Sequence, residues 1–185
     1  RTPGEDFDLV AGFLLGEGIV NSADELEELT YCRGQETQEY NVVEARLRPG
    51  VCFDLERLRR NVFTSSSCGV CGKASLEAVA FSGCTNLEDE FRVEGRLLPG
   101  LPDTLLEGQG VFARTGGLHA AGLFGANGEL YALREDVGRH NAVDKVLGRT
   151  LLDRKLPADD RILVVSGRAS FEIVQKALMA RVPVL

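Results

Sequence analysis

The stretch GLHAAGLFGANGELYALRED, residues 117–136, predicts a β-hairpin. Two apolar runs flank the letters GANG, and the Asn127-Gly128 pair is typical of the primed turns that join two antiparallel strands. The chain after this hairpin alternates between helix and strand patterns, so the hairpin supplies the first two strands of a larger sheet.

Helix and strand patterns alternate after the hairpin. Residues 137–152 place their apolar side chains on one side of a helix, and the apolar run RILVV at 161–165 is typical of a buried strand. A second amphipathic helix follows over 169–182, and the last letters, RVPVL, begin another strand. Because helices that connect apolar strands indicate crossover units, the sequence predicts an α/β fold with a mixed, largely parallel sheet covered by helices.

The chain before the hairpin has shorter patterns. They predict a helix within 5–20 that can end at Gly16 or Gly18, helices over 54–63 and 102–115, and a helix that begins near Lys73. They also predict a half-buried strand over 39–50. We predict one α/β domain over residues 1–185, with a mobile Ser- and Gly-rich loop at 64–72. We also expect both natural ends to be missing, because the chain opens without Met and stops where a strand begins.

Composition limits the classes of function. The 185 residues are 44% apolar and 26% charged, with a net charge of −7. An acidic protein is poorly suited to nonspecific binding of nucleic acid or of a membrane, because both partners are anionic. The five cysteines are odd in number and irregularly spaced, which is unlike a secreted disulfide framework. We therefore expect a cytoplasmic protein.

The letters TSSSCGVCG at 64–72 place Cys68 and Cys71 ahead of a predicted helix. A structural zinc site needs four Cys or His ligands, commonly as two close pairs, and here there is one pair. A thioredoxin-like exchange site has the same C-x-x-C spacing, but three serines replace the aromatic residue and apolar strand of that context. Inert burial is the third interpretation, and the surrounding Gly and Ser residues disfavour it.

A nucleophilic sulfur is the fourth interpretation of the pair. The positive end of a helix dipole and the nearby Lys73 both favour a thiolate. A second cysteine within reach can resolve or relay what the first one picks up.

Four stretches together resemble one family. They are RTPGEDFDLVAGFLLGEGIV, TSSSCGVCG, LREDVGRHNAVDKVLG and VVSGRASFEIVQKA, and they occur in this order over nearly the whole chain. They resemble the FdhD family, the formate dehydrogenase accessory sulfurtransferases.

The resemblance implies a sulfur carrier. Members of the family accept sulfane sulfur from a cysteine desulfurase as a cysteine persulfide. They pass it to the molybdenum bis-guanine-dinucleotide cofactor, which formate dehydrogenase then uses. On this chain the persulfide position is Cys68, with Cys71 as its neighbour. The resemblance also implies a homodimer and a further segment, beyond residue 185, that helps to hold the cofactor.

The resemblance further implies a fold similar to that of the cytidine deaminases. Deaminases use H-x-E to supply a zinc ligand and a proton shuttle. The nearest counterpart here is His119-Ala120-Ala121, which lacks the glutamate. We therefore expect neither zinc nor deamination.

Two predicted strand-to-helix turns are candidate sites for the phosphates and guanine of the cofactor. The first is Ser166, Gly167 and Arg168, where backbone N–H groups at a helix start and the guanidinium bind phosphate well. The second is Arg139 and His140, which would meet phosphate or the arriving persulfide. Both could instead be ordinary turns, with Ser166 and Asp136 as helix caps. His119 lies in an apparent strand, so we expect it to be a core histidine.

Two other functions fit the same residues. A thiol-disulfide oxidoreductase would use the two cysteines without carrying sulfur. A non-catalytic chaperone would bind the molybdenum cofactor and leave the cysteines idle.

Overall fold

The structure is a computed structural model, and it describes residues 1–32, 40–52, 87 and 90–185. We number the helices and strands of these ranges in chain order. The helices are α1 (Asp6–Gly16), α2 (Leu101–Gly108), α3 (Phe112–Thr115), α4 (Arg139–Leu152) and α5 (Phe171–Met179). The strands are β1 (Leu26–Tyr31), β2 (Val43–Leu47), β3 (His119–Gly125), β4 (Leu130–Asp136) and β5 (Arg161–Val165).

The described strands form two sheets, and every ladder in them is antiparallel. β1 pairs with β2, and a three-stranded sheet has the order β4-β3-β5. The α/β class is therefore confirmed, but the prediction of a largely parallel sheet is wrong for the described strands. β4, α4 and β5 do form a crossover, and β4 and β5 point the same way because both are antiparallel to β3. The error lies in their order, since β3 separates them.

A parallel pairing occurs at the outer edge of β5. Val184 bridges to Ile162 in parallel orientation, and the amide of Leu163 donates to the carbonyl of Val184 over 2.9 Å. The strand predicted to begin at RVPVL is therefore present only as this isolated bridge at Val184.

The predicted hairpin is confirmed in position but not in turn type. A positive φ of 82° occurs at Gly128, and Asn127 is not among the residues with positive φ. The amide of Gly125 donates to the carbonyl of Glu129, so three residues form the loop. A left-handed glycine at its third position is the usual solution for a loop of this length.

Two predictions for the chain before the hairpin need correction. The helix predicted over 102–115 is two helices, α2 and α3, and Pro102 does lie in the first turn of α2. Strand β1 was not predicted, because its letters LEELTY do not alternate cleanly between apolar and polar residues. The predicted helices at 54–63 and from Lys73, and the loop at 64–72 with Cys68 and Cys71, lie outside the described residues.

The core forms where α1 packs on α4 and where α4 covers one face of the three-stranded sheet. Ala11 and Leu15 of α1 are buried against Val143 and Leu147 of α4. A smaller apolar cluster on the other face includes Leu105 of α2. No helix within the described ranges is long and apolar enough to cross a membrane.

Candidate functional site

Two turns of the structure meet at one end of the three-stranded sheet, where β4 and β5 end and β3 begins. One joins the end of β4 to α4 and carries Arg139 and His140, and the other joins the end of β5 to α5 and carries residues 166–170. Because β4 and β5 point the same way, both turns leave the sheet on the same side, where β3 begins. The structure therefore brings together the two turns that the sequence predicted as sites.

Gly167 lies against the side chain of Arg139, which belongs to the other turn. A Cβ atom placed on Gly167 would lie 2.9 Å from Cδ of Arg139 and 3.5 Å from Nδ1 of His119. Glycine at this position therefore lets the side chain of Arg139 lie across the second turn. His119 is half-buried at the start of β3 and belongs to this cluster, so it is not the core histidine that the sequence predicted.

His140 is tied to the start of α5. Its Nε2 atom lies 2.9 Å from Oγ of Ser170 and 3.1 Å from Oε2 of Glu172. Burial lowers the pKa of His140 below its ordinary value, an effect that Glu172 opposes and that Arg139 reinforces. The neutral imidazole is therefore favoured at neutral pH.

Asp136 organises the turn that holds Arg139 and His140. Its carboxylate is buried and accepts hydrogen bonds from the amide of Gly138 and the side chain of Asn141, each over 3.0 Å. It also faces Lys145, whose Nζ lies 2.9 Å from Oδ2. Burial by itself would raise the pKa of Asp136, but these hydrogen bonds outweigh burial and lower the pKa. Asp136 is thus an ionised anchor of the turn, although the helix cap itself is Gly138.

The second turn contains three polar residues that differ in their contacts: Ser166, Ser170 and Arg168. Oγ of Ser166 accepts from the amide of Ala120 over 2.8 Å, which extends the ladder between β5 and β3. The cap of α5 is Ser170, whose Oγ accepts from the amide of Ile173, so Ser166 is not the cap. Arg168 is exposed, and no hydrogen bond or ion pair joins it to another described residue. Its guanidinium can therefore reach a ligand.

A polar pocket of about 230 Å³ lies beside His140, between α1, α4 and α5. Asp144 and Lys176 form a buried ion pair in its wall, with 2.6 Å between Oδ1 and Nζ. Glu17 and Glu172 add two more carboxylates, and the ring of Phe13 forms an apolar side.

The described residues contain two other cysteines and no metal cluster. Cys32 is half-buried and Cys52 is exposed, and both are free thiols. No group of three or more His, Cys, Asp or Glu side chains within the described ranges is placed to hold a metal ion. The absence of zinc stays a prediction.

Three residues of this site were missed by the sequence predictions. Ser170 and Glu172 contact His140, and Lys176 contributes the cation of the pocket wall. A signal for the first two exists in the letters SFE, where Ser precedes a helix and an acidic residue follows in its first turn. No local pattern shows that Ser170 and Glu172 meet a histidine 30 and 32 positions earlier.

Comparison with known proteins identifies relatives along the whole chain. The family model described as FdhD/NarQ family matches residues 1–185. The chain is 55% identical over 190 residues to a protein of Streptomyces avermitilis, with all of this chain and 67% of that protein covered. It is 50% identical over 192 residues to a Mycobacterium tuberculosis protein, with all of this chain and 70% of that protein covered. A relative from Sulfurisphaera tokodaii is 45% identical over 185 residues, with 100% and 67% covered. All three are named Sulfur carrier protein FdhD.

A solved structure shares the fold. It comes from Desulfotalea psychrophila, and its assignment as a formate dehydrogenase accessory protein is provisional. The TM-score is 0.67 at 24% identity, with 98% of this chain and 63% of that chain covered. The chain therefore spans about two thirds of the length of the relatives that it matches.

Proposed function

The chain belongs to the FdhD/NarQ family, and from this premise we propose that it is a sulfurtransferase that carries sulfur for formate dehydrogenase. The observation that carries the proposal is the match to relatives named as sulfur carriers, which extends over the whole chain at 45–55% identity. The proposed donor is a cysteine desulfurase, and the proposed acceptor is the molybdenum bis-guanine-dinucleotide cofactor. The proposed setting is a cytoplasmic homodimer.

Sulfur is loaded on Cys68 in the proposed mechanism. The Cys68 thiolate attacks the outer sulfur of the donor's cysteine persulfide, so that a new S–S bond forms as the donor's S–S bond breaks. The donor leaves as a thiolate, and no net oxidation occurs. A thiolate is the reactive form in such exchanges, and the sequence predicts a helix start with a nearby Lys73, which would favour it.

Sulfur is released with the help of Cys71. The carried sulfur must gain two electrons to leave as sulfide, and a second thiol supplies them by forming a disulfide. Attack of the Cys71 thiol on Sγ of the Cys68 persulfide gives a Cys68–Cys71 disulfide and hydrogen sulfide, which balances atoms and electrons. A reductant of the cell must then reopen the disulfide before the next cycle.

The two converging turns are the proposed site for the phosphates and guanine of the acceptor. Arg168 is exposed beside the start of α5, and Arg139 lies against Gly167 in the same cluster. Guanidinium groups and helix N-termini favour phosphate. Ser166 and Gly167 contribute by shaping the turn, since the hydroxyl of Ser166 is already bonded to β3.

A fold related to the cytidine deaminases, without their chemistry, completes the proposal. The parallel bridge between Val184 and Ile162 is compatible with a sheet that continues in parallel beyond β5. Ala121 occupies the position at which a deaminase needs its glutamate, so deamination and catalytic zinc are not proposed.

Persulfide formation on Cys68 is the first test. After incubation of the protein with a cysteine desulfurase and cysteine, mass spectrometry is expected to find one added sulfur on the peptide that contains Cys68. Cys68→Ala should abolish the added sulfur, and Cys52→Ala should leave it intact, because Cys52 is an exposed thiol outside the motif. A disulfide without any persulfide would favour the oxidoreductase, and full activation of the dehydrogenase by Cys68→Ala would favour the chaperone.

Loss of nucleotide affinity in Arg168→Ala is the second test. Removing a charged hydrogen bond to phosphate should weaken binding of guanosine diphosphate by about 1.5–3 kcal/mol, as measured by titration calorimetry. Arg48→Ala removes another exposed arginine and should bind the nucleotide normally. Sulfur loading should persist in Arg168→Ala, and nucleotide binding should persist in Cys68→Ala. If Cys68→Ala lost nucleotide binding while Arg168→Ala kept it, the proposed division between sulfur carriage by Cys68 and nucleotide binding by Arg168 would be wrong.

A further inference from the structure

We propose that Thr2 is a positioning residue of the candidate site, because it holds the turn between β4 and α4 from which Arg139 meets phosphate. Thr2 belongs to no helix or strand, and it precedes that turn by more than 130 residues. The inference deepens the proposed function and rests on it, since it concerns the nucleotide site. It assigns a role to a residue that the sequence patterns did not single out.

Thr2 uses all three of its polar groups in contacts with this turn and its anchor. Its amide donates to Oδ2 of Asp136 over 2.8 Å, and its Oγ1 accepts from the amide of Val137 over 2.9 Å. Its carbonyl accepts from Nζ of Lys145 over 3.1 Å. Because Asp136 and Lys145 are themselves a buried ion pair, Thr2 contacts both members of that pair and the first residue of the turn.

The turn is held by hydrogen bonds and not by side-chain packing. Two residues, Val137 and Gly138, connect β4 to α4. Val137 is 56% exposed and Gly138 has no side chain, so apolar burial holds neither residue. The amide of Gly138 donates to Asp136, and the amide of Val137 donates to Thr2. One of these two hydrogen bonds is therefore lost when the hydroxyl of Thr2 is removed.

Asp136 carries the effect of Thr2 to the start of α4. An ionised carboxylate has about four positions for donors, and Asp136 accepts from the amides of Thr2 and Gly138 and from the side chains of Asn141 and Lys145. The carboxylate side chain is 0% exposed, so water has no access to replace a missing donor. The same carboxylate thus holds the first turn of α4 and is itself held by Thr2.

Arg1 fixes the other side of Thr2. Its guanidinium lies 2.7 Å from Oδ1 of Asp6 on α1, and it also donates to the carbonyl of Tyr40 over 2.7 Å. The side chain of Asp6 is 7% exposed, and α1 packs against α4 in the core. Thr2 is therefore presented to the turn from a fixed position.

The position of the turn matters for phosphate because Arg139 follows it directly. The side chain of Arg139 lies across Gly167, so it joins the two turns of the candidate site. A guanidinium binds phosphate through a planar set of donors, and this geometry tolerates little displacement. When only a fraction of the molecules has the turn in place, the apparent affinity falls by that fraction. Loss of the Thr2 hydroxyl is thus expected to weaken nucleotide binding from a distance.

The inference is tested on the full-length protein by calorimetric titration with guanosine diphosphate at 25 °C. Thr2→Val keeps the size and the backbone groups of Thr2 but removes the acceptor for the amide of Val137. Its dissociation constant should rise about 3–10-fold, the range that one net hydrogen bond provides. Thr2→Ser keeps a hydroxyl and should restore most of the affinity. Thr104→Val removes a hydroxyl that bonds to the carbonyl of Gly100 and should change nothing.

Two further measurements separate positioning from a general loss of stability. A loss of the size of one hydrogen bond leaves nearly all molecules folded at 25 °C, so by itself it does not change the dissociation constant. Amide hydrogen exchange should become faster at Val137 and Gly138 in Thr2→Val and stay normal in Thr2→Ser. Combined with Arg139→Ala, Thr2→Val should have little further effect on nucleotide affinity. Combined with Arg168→Ala, its effect should add, because Arg168 lies on the other turn.

The outcomes distinguish this inference from the proposed function. An unchanged dissociation constant in Thr2→Val, with faster exchange at Val137, would overturn the inference while the proposed function stands. Fully additive losses in Thr2→Val and Arg139→Ala would overturn it as well, because Thr2 would then not act through Arg139. Absence of nucleotide binding by the unmodified protein would overturn the proposed nucleotide site and this inference with it.

Discussion

Replacing Gly148 with alanine is expected to destabilise the folded protein by about 3 kcal/mol, the upper end of the usual cost of overpacking. An added Cβ would lie 1.8 Å from the carbonyl oxygen of Asp8 and 2.5 Å from the amide nitrogen of Gly12. All of these neighbours are backbone atoms of α1, so no side chain can rotate away. The helices α1 and α4 must separate, and the core between them loses contact. Urea unfolding at neutral pH measures the change.

The opposite side of the same contact gives a second variant. A Cβ on Gly12 would lie 1.8 Å from the carbonyl oxygen of Asp144, so Gly12→Ala should cost a similar amount. The double variant should cost less than the sum, because helices already separated by one methyl group make room for the other.

Gly100→Ala is the matched control for the glycine variants. Its Cβ would meet nothing within 4 Å, and the φ of Gly100 is −86°, which alanine adopts freely. This variant should be neutral, or more stable by a few tenths of a kcal/mol to about 1 kcal/mol, because alanine restricts the unfolded chain. If Gly148→Ala and Gly100→Ala unfolded at the same urea concentration, the close helix contact would be disproved.

Replacing Lys145 with methionine is expected to cost about 3–5 kcal/mol at pH 7, the usual penalty for leaving a buried charge without its partner. The Lys145 side chain is 1% exposed and that of Asp136 is 0% exposed. Nζ also donates to the carbonyl of Thr2 over 3.1 Å, so the substitution loosens the N-terminal segment as well. Because Asp136 anchors the turn before α4, the positions of Arg139 and His140 should change too.

The pH dependence of this variant follows from the lowered pKa of Asp136. Its pKa in the folded protein is below the ordinary value of 3.8, so ionised Asp136 contributes stability above that value. This contribution is lost as the pH falls through the folded pKa. Without the hydrogen bond from Lys145 the pKa rises, so Lys145→Met loses less on acidification. The difference in unfolding free energy between the two proteins should therefore be largest near pH 7 and shrink below pH 4, that is, around and below the ordinary pKa of Asp.

Lys155→Met is the control for charge and size. Lys155 is exposed, and its removal should change the unfolding free energy by less than about 0.5 kcal/mol at any pH from 3 to 7. A similar small effect for Lys145→Met would mean that the buried pair contributes no net stability.

The sequence by itself determined the helices and strands from the hairpin onward, because each pattern is local. The helical spacing of apolar residues over 137–152 requires only that one side is buried, and the structure has α4 there. The run RILVV is β5 and the letters GANG are the hairpin turn. The family was also within reach of the sequence, since four quoted stretches in one order carry it and the family model matches them.

The tertiary structure alone decided which elements are neighbours. A buried strand pattern shows that both faces are covered but not which strand lies alongside. The sequence therefore predicted a largely parallel sheet without a strand order, and the fold places β3 between β4 and β5. The local sequence does not show why glycine is required at positions 12 and 148 in the middle of two helices. The atoms that exclude a Cβ there belong to a helix more than 130 residues away in the chain.

The candidate site divides in the same way. The sequence identified Arg139, His140 and the turn at 166–168 from local letters, since glycine, arginine and histidine beside a predicted helix start are unusual enough to notice. The contact of Glu172 with His140 depends on two helices that start at the same edge of a sheet, and no residue spacing encodes it.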